Sequence, residues 1–234
     1  MRPTLWGEPG MLPYDQALAL QQRLVGHKLA GTLAADIVLC LEHPPVFTLG
    51  RRAQQPQQAA RWQALAQRGV PVVPVGRGGD VTWHGPGQLV LYPLLDLKRL
   101  GLGIGTMVQQ LEELMIVVAA RLGVTAHRDP RNRGVWVGEA KLGSIGLQLR
   151  RGICFHGLAF NLQPDLTAFS WIDPCGLAGV AMTSIAQLTG RETSPTLGCA
   201  LLRTAWQELF GPVQPVDPHT LSLETHERYP QTSA

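Results

Sequence analysis

A single α/β domain, helices covering a sheet that ends in antiparallel hairpins, is the fold class this sequence predicts. Three observations carry the prediction. The chain has 234 residues of which 45% are hydrophobic, enough for one domain with a substantial core. Runs of helical periodicity at 14–30, 106–122 and 194–210 are separated by strand-like segments. From 135 to 162 short apolar runs are joined by tight Gly- and Arg-containing turns, and such short connections imply antiparallel pairing. With no dividing linker or internal repeat, residues 1–215 form one domain, followed by a loosely held polar tail at 216–234.

The elements follow in order. Residues 14–30 place Ala17, Leu18, Leu20, Leu24 and Val25 near helical spacing. Residues 36–42 are a buried strand, ended at His43-Pro44-Pro45 because proline cannot donate to a ladder. Residues 46–50 continue extended, 54–67 are polar and mix loop with helix, and 70–75 form a strand that enters a glycine-rich loop at 76–88. Residues 89–94 leave that loop as a strand. Thr106 is the expected N-cap of a helix through Leu122, with Gly123 at the C-cap. Strands at 135–137, 141–149 and 153–162 follow. Thr183-Ser184 opens a helix, and Ser194-Pro195 opens the last one, stopped by Gly211-Pro212.

Composition narrows the function. The net charge is +3 and the basic residues are dispersed, which argues against a primarily nucleic-acid-binding protein. No apolar run of about 18 residues and no apolar N-terminal leader is present, so no membrane association and a cytoplasmic location are expected. Cys40, Cys154, Cys175 and Cys199 lack zinc-site spacing. His43, His84, His127 and His156 lie far apart and form no HExxH pair, so no metal site is expected. Only three basic residues are lysines, Lys28, Lys98 and Lys141.

The loop from Gly76 to Gln88 holds five glycines in thirteen residues, with Arg77 and His84. Glycine there serves where backbone must approach a ligand or take positive φ. It has neither the Gly-Lys-Ser/Thr ending of a P-loop nor GxGxxG spacing. His84 is a loop brace, a ligand contact, a base or a metal ligand. Period-two alternation puts Lys141 on the apolar face with Gly143, Ile145, Leu147 and Leu149. There it is either a strand-end lysine snorkelling to water or a desolvated group with base character. Cys175, between Pro174 and Gly176 in a loop, is the best nucleophile candidate, the alternative being a buried structural thiol.

Residues 77–88 resemble the signature of the lipoyl(octanoyl) transferases, Arg-Gly-Gly, two variable residues, Thr, an aromatic, His, any residue, Pro-Gly-Gln. Residues 42–50, the Lys141-to-Gly146 strand, and His156-Gly157-Leu158-Ala159 running on to Pro174-Cys175-Gly176 are similar to further family segments. Together they cover residues 14 to 190. Ser144 stands where many relatives have Ala, and Trp83 where Tyr is common.

The resemblance implies an α/β domain with a mixed or antiparallel sheet, like the catalytic domains of biotin protein ligase and lipoate ligase. It implies transfer of an octanoyl group from octanoyl-acyl carrier protein to a lysine of lipoyl domains of 2-oxoacid dehydrogenase complexes and the glycine-cleavage carrier protein. No cofactor, ATP or metal is implied. Cys175 would form an acyl thioester and Lys141 would tune that thiol. Substrate contacts would come from Arg77, Gly78, Gly79, Asp80, Val81, Thr82, Trp83 and His84, from Ser144, Ile145 and Gly146, and from Gly157, Leu158 and Ala159. Glycines 78, 79, 143 and 146 would wall an acyl slot. The rivals are an ATP-dependent lipoate or biotin ligase, which needs no cysteine, and a nonenzymatic carrier-protein or RNA-binding module using Arg128, Arg131, Arg133, Arg150 and Arg151.

Overall fold

The computed structural model describes residues 3–173 and 179–218. Its frame is an eight-stranded sheet whose spatial order is β11-β1-β2-β6-β10-β9-β8-β7. In chain order these are β1 (Thr4–Met11), β2 (Ile37–Glu42), β6 (Gln88–Asp96), β7 (His127–Asp129), β8 (Asn132–Val137), β9 (Ala140–Arg150), β10 (Ile153–Asn161) and β11 (Val213–Val216). β1 runs parallel to both β2 and β11, and every other pairing in this sheet is antiparallel. A small second sheet has the order β4-β3-β5, with β3 (Val46–Leu49), β4 (Val72–Pro74) and β5 (Val81–His84).

Helices cover both faces of the large sheet. On one face, α3 (Ile104–Arg121) and α5 (Pro195–Phe210) bury Val38, Cys40, Leu89, Leu91, Leu158 and Phe160. On the other, α1 (Tyr14–Leu29) buries Ile37, Leu39, Leu41, Val90 and Leu94. β2 and β6 therefore send alternate residues into two cores, which is why they read as continuous apolar runs. A third core joins β3 and β5 to α2 (Ala59–Ala66) and Phe169. A short α4 (Ile185–Thr189) precedes α5. No helix among the described residues is long and apolar enough to cross a membrane.

Several boundaries differ from expectation. The third helix starts at Ile104, not after Thr106: extended Gly103 is its N-cap, and the Gly103 carbonyl accepts from Met107 N at 3.0 Å. Ser194 behaves as expected, its hydroxyl accepting from Leu197 N at 3.2 Å. Within the loop at 76–88, Val81–His84 is a strand paired antiparallel with β3. β1 carries no strand pattern in the sequence because Gly7, Pro9 and Gly10 interrupt it, and its register with β2 shifts between Gly7 and Gly10. β11 pairs Val216 with Gly7, so paired backbone extends one residue past 215, while the part of the tail from 219 lies outside the described residues.

The central strand β6 contains Pro93, which has no N–H to give to β10. The β10–β6 ladder is recorded at Ile153–Cys154 and resumes at Leu158–Asn161. In the interval His156 takes φ 56° and donates its N–H to Gln21 Oε1 of α1 at 2.8 Å. A proline in mid-sheet thus accompanies a left-handed histidine one strand away.

Candidate active site

On the α1 side of the large sheet lies an open cleft. Its floor is three cross-strand pairs, Ser144 with Ala159, Ile145 with Leu158 and Gly146 with Gly157. One wall is Arg77 with Gly79 through Thr82 and His84. Tyr14, Arg52, Val90, Tyr92, Asn132 and His156 complete it. Most of the residues expected to contact substrate are therefore brought together. Gly78 and Trp83 are not among the lining residues; Trp83 packs in the third core, edge-on to Phe169 with centroids 5.5 Å apart. Gly143 faces away, since a Cβ there would meet Met115 Sδ at 2.6 Å, so it forms helix packing and no slot wall.

Arg77 organises the loop from inside. Its Nη2 donates to the Thr48 carbonyl at 2.7 Å and to Thr48 Oγ1 at 2.8 Å, and Nη1 donates to the Gly78 carbonyl at 3.1 Å. Gly146 keeps room for it, because a Cβ there would lie 3.0 Å from both Arg77 Cδ and the Gly78 carbonyl oxygen. From Arg77 a chain of hydrogen bonds crosses the site. Thr48 Oγ1 lies 3.3 Å from His84 Nε2, and His84 Nδ1 donates to Gln88 Oε1 at 2.7 Å. Gln88 Nε2 donates to Asn161 Oδ1 at 2.9 Å, Asn161 Nδ2 to the Thr183 carbonyl at 3.0 Å, and Thr183 N to the Lys141 carbonyl at 2.9 Å. Both His84 nitrogens are engaged, so it braces the loop and is not placed to take a substrate proton.

The histidines beside this chain are neutral. Burial pushes His43 down to about 4 and His156 down to about 3, and holds His84 well below its usual value, with His43 and Arg77 adding to the effect on His84. His43 Nδ1 donates to the Leu12 carbonyl at 2.6 Å, which leaves Nε2 to accept from the Tyr92 hydroxyl at 2.7 Å. Burial raises Tyr14 to about 12 and Tyr92 well above its usual value. Among the described residues, no group of three or more His, Cys, Asp or Glu could hold a metal ion.

Lys141 is fully buried. Alternation had placed it with Gly143, Ile145 and Leu147, but β9 carries an extra residue against β8. Val135 pairs with Gly143 while Trp136 pairs with Lys141, so Leu142 is left over. Leu142 joins the α3 core, and Lys141 turns to the opposite face with Trp136. Its Nζ lies 5.2 Å from the Trp136 ring centroid and donates to Asn132 Oδ1 at 2.8 Å and to the Arg133 carbonyl at 2.9 Å. The lysine does not snorkel to solvent. Its backbone is tied on both sides to the segment at 181–183, Lys141 N donating to the Ala181 carbonyl at 2.9 Å.

Cys175 falls at 174–178, outside the described residues. The other cysteines are buried, as the sequence pattern implied. Burial raises Cys154 to about 12 and, together with Cys199, raises Cys40 well above the usual thiol value. His156 reaches the cleft only because its positive φ breaks alternation, and it stacks on Phe155 at 5.0 Å. Asn132 carried no sequence signal, since a lone asparagine before a strand reads as a turn residue.

The catalytic-domain model of the lipoyl protein ligase A/B family matches residues 13–204. The chain is 45% identical to the octanoyltransferase of Desulfotalea psychrophila over 210 residues, 89% of this chain and 94% of that protein. It is 44% identical to the octanoyltransferase of Pseudomonas fluorescens over 184 residues, 78% of this chain and 81% of that one. Among solved structures, lipoate-protein ligase A bound with ATP superposes with a TM-score of 0.71 at 14% identity, covering 95% of this chain and 93% of that one. Biotin protein ligase from Aquifex aeolicus in complex with biotin and ATP gives 0.54 at 12% identity, covering 88% and 69%. At such identities these structures speak to the fold alone.

Proposed function

The chain belongs to the lipoyl protein ligase A/B catalytic-domain family, and from that premise we propose that it transfers an octanoyl group from a carrier-protein thioester to a lysine of a lipoyl domain, through a thioester on Cys175. The observation that supports this most is Lys141, a fully buried lysine whose Nζ donates to Asn132 Oδ1 and to the Arg133 carbonyl and whose backbone is tied to the residues that follow Cys175. Cys175 is six residues before Ala181, at most about 20 Å of extended chain from a residue bonded to Lys141.

In the first half-reaction Lys141, as the amine, takes the Cys175 thiol proton. The thiolate attacks the carbonyl carbon of the incoming thioester, the new C–S bond forms, and the bond to the carrier's thiol breaks. That leaving thiolate takes the proton back from Lys141. In the second, the neutral acceptor lysine attacks the Cys175 thioester and yields its proton to Lys141, and the released Cys175 thiolate recovers it. One thioester becomes another at near-equal energy, so ATP is not required. The acyl chain lies over Val90, Ile145, Leu158 and Ala159, each buried methylene contributing about 0.8 kcal/mol.

Octanoyl-acyl carrier protein is the proposed donor. Lipoyl domains of 2-oxoacid dehydrogenase complexes and the glycine-cleavage carrier protein are the proposed acceptors, all met in the cytoplasm. Of the arginines assigned to a carrier-protein or RNA-binding module, Arg128 is paired with Glu112 and Glu113, and Arg131 with Asp129 and Glu139. These internal pairs weaken both the docking role and the RNA-binding alternative for that face. Cys175, Lys141 and the cleft residues form the proposed site of a single catalytic domain spanning 1–215.

A single-turnover assay tests the proposal. Protein, octanoyl-carrier protein and an apo lipoyl domain are mixed without nucleotide, and the lipoyl domain is weighed. An octanoyl-lysine product supports transfer. Product only with ATP and free octanoate would replace it by the ligase alternative.

A further inference from the structure

We propose that Asn132 is a positioning residue for Lys141, fixing the direction in which that amine exchanges its proton. The inference rests on Lys141 being the base proposed above. Asn132 opens β8 and lines the cleft, and its Oδ1 accepts from Lys141 Nζ at 2.8 Å, while the next carbonyl, of Arg133, accepts at 2.9 Å. A neutral amine has two N–H bonds and one lone pair. Two acceptors on the same tripeptide, each taking one N–H bond, fix the rotation of the amine about Cε–Nζ and with it the direction of its third tetrahedral position. A side-chain amide suits this task, because its oxygen only accepts and carries no charge that would hold the ammonium.

The tripeptide is itself anchored. Gly134 N donates to Glu112 Oε1 of α3 at 3.0 Å. Gly134 has φ 124°, and a Cβ there would lie 2.1 Å from the Gly143 carbonyl oxygen and 3.1 Å from Lys141 Cε, so glycine lets β8 close on the lysine stem. The charged groups nearby are Glu112, which also meets Arg128, and Arg131, whose guanidinium is 4.6 Å from the Trp136 centroid and is paired with Asp129 and Glu139. Asn132 thus supplies the side-chain oxygen on Nζ from a strand braced by α3.

The test exploits the small number of lysines. With three in the chain, selective 13Cε-lysine labelling gives a spectrum in which the Lys141 signal is assigned by its loss in Lys141→Ala. The full-length protein is compared with Asn132→Ala and Asn132→Asp. Asn132→Asp places a carboxylate on Nζ, and the Lys141 titration midpoint is expected to rise by about one pH unit or more. The acidic limb of the transfer rate against pH should rise by the same amount. Asn132→Ala should lower turnover on the order of tenfold to a hundredfold at unchanged KM for the acyl carrier, with the Lys28 and Lys98 signals in place as proof of folding. Coincidence of the Lys141 midpoint, the pH profile and the turnover with wild type in both variants would overturn the positioning role. Failure of the base assignment is separate: Lys141→Ala would then retain transfer whatever the Asn132 variants do.

Discussion

Lowering the pH should unfold this protein through its buried histidines before most carboxylates are protonated. His43 and His156 are buried and neutral, at about 4 and about 3 in the folded chain against 6.5 when unfolded. Between those values the unfolded chain holds a proton that the folded chain does not, so stability falls as pH drops from about 6.5 toward 4. Each such group contributes up to about 1.4 kcal/mol per pH unit. From pH 6.5 to 5 the pair removes about 3 kcal/mol, and His84, held low by the same burial, acts in the same direction. A domain is stable by only about 5–15 kcal/mol, so a large share is lost before pH 5. Guanidinium unfolding at pH 7, 6 and 5 measures this directly, and His156→Asn, which tolerates the positive φ, should flatten the slope by about 1.4 kcal/mol per pH unit. Equal stability at pH 7 and 5 would refute the neutral, buried assignment.

Three substitutions probe the site. Gly157→Ala puts a Cβ 1.9 Å from the Leu91 carbonyl oxygen and 2.7 Å from Pro93 Cδ, and should destabilise by about 3 kcal/mol or more, seen as a lower Tm even without substrate. Arg77→Lys keeps the charge but loses the forked contact to Thr48, and should reduce stability by about 2 kcal/mol in chemical unfolding and slow transfer. Lys141→Arg should abolish transfer, because a guanidinium does not release its proton near neutral pH. Normal single-turnover rates in Lys141→Arg would remove Lys141 from the base role.

Much of the frame was legible. The apolar runs of β2, β6 and β10, the hairpins from 135 to 162 and the Ser194-Pro195 helix start follow from period, turn chemistry and capping. The short β5 was hidden because its residues sit among glycines, and only pairing with β3 makes them a strand. The site's decisive geometry was hidden for a different reason. Period two sends Lys141 and His156 toward the helix core, and a one-residue bulge at Leu142 and a positive φ at His156 reverse both. Such breaks depend on what a neighbouring strand offers, a proline at 93 for β10 and a two-for-one register with β8 for β9, and residue type alone does not encode them. The glycine loop shows the converse. It was recognisable as a site, yet of the β9 glycines expected to wall a slot with it, Gly146 makes space for Arg77 and Gly143 for Met115, roles fixed by tertiary contacts.

The central claim is that acyl transfer passes through a thioester on Cys175 without nucleotide. Intact mass of the protein after mixing with octanoyl-carrier protein alone tests it most directly. One octanoyl adduct is predicted, removed by hydroxylamine and missing in Cys175→Ala; an unmodified protein, or an adduct that persists in Cys175→Ala, would contradict the account.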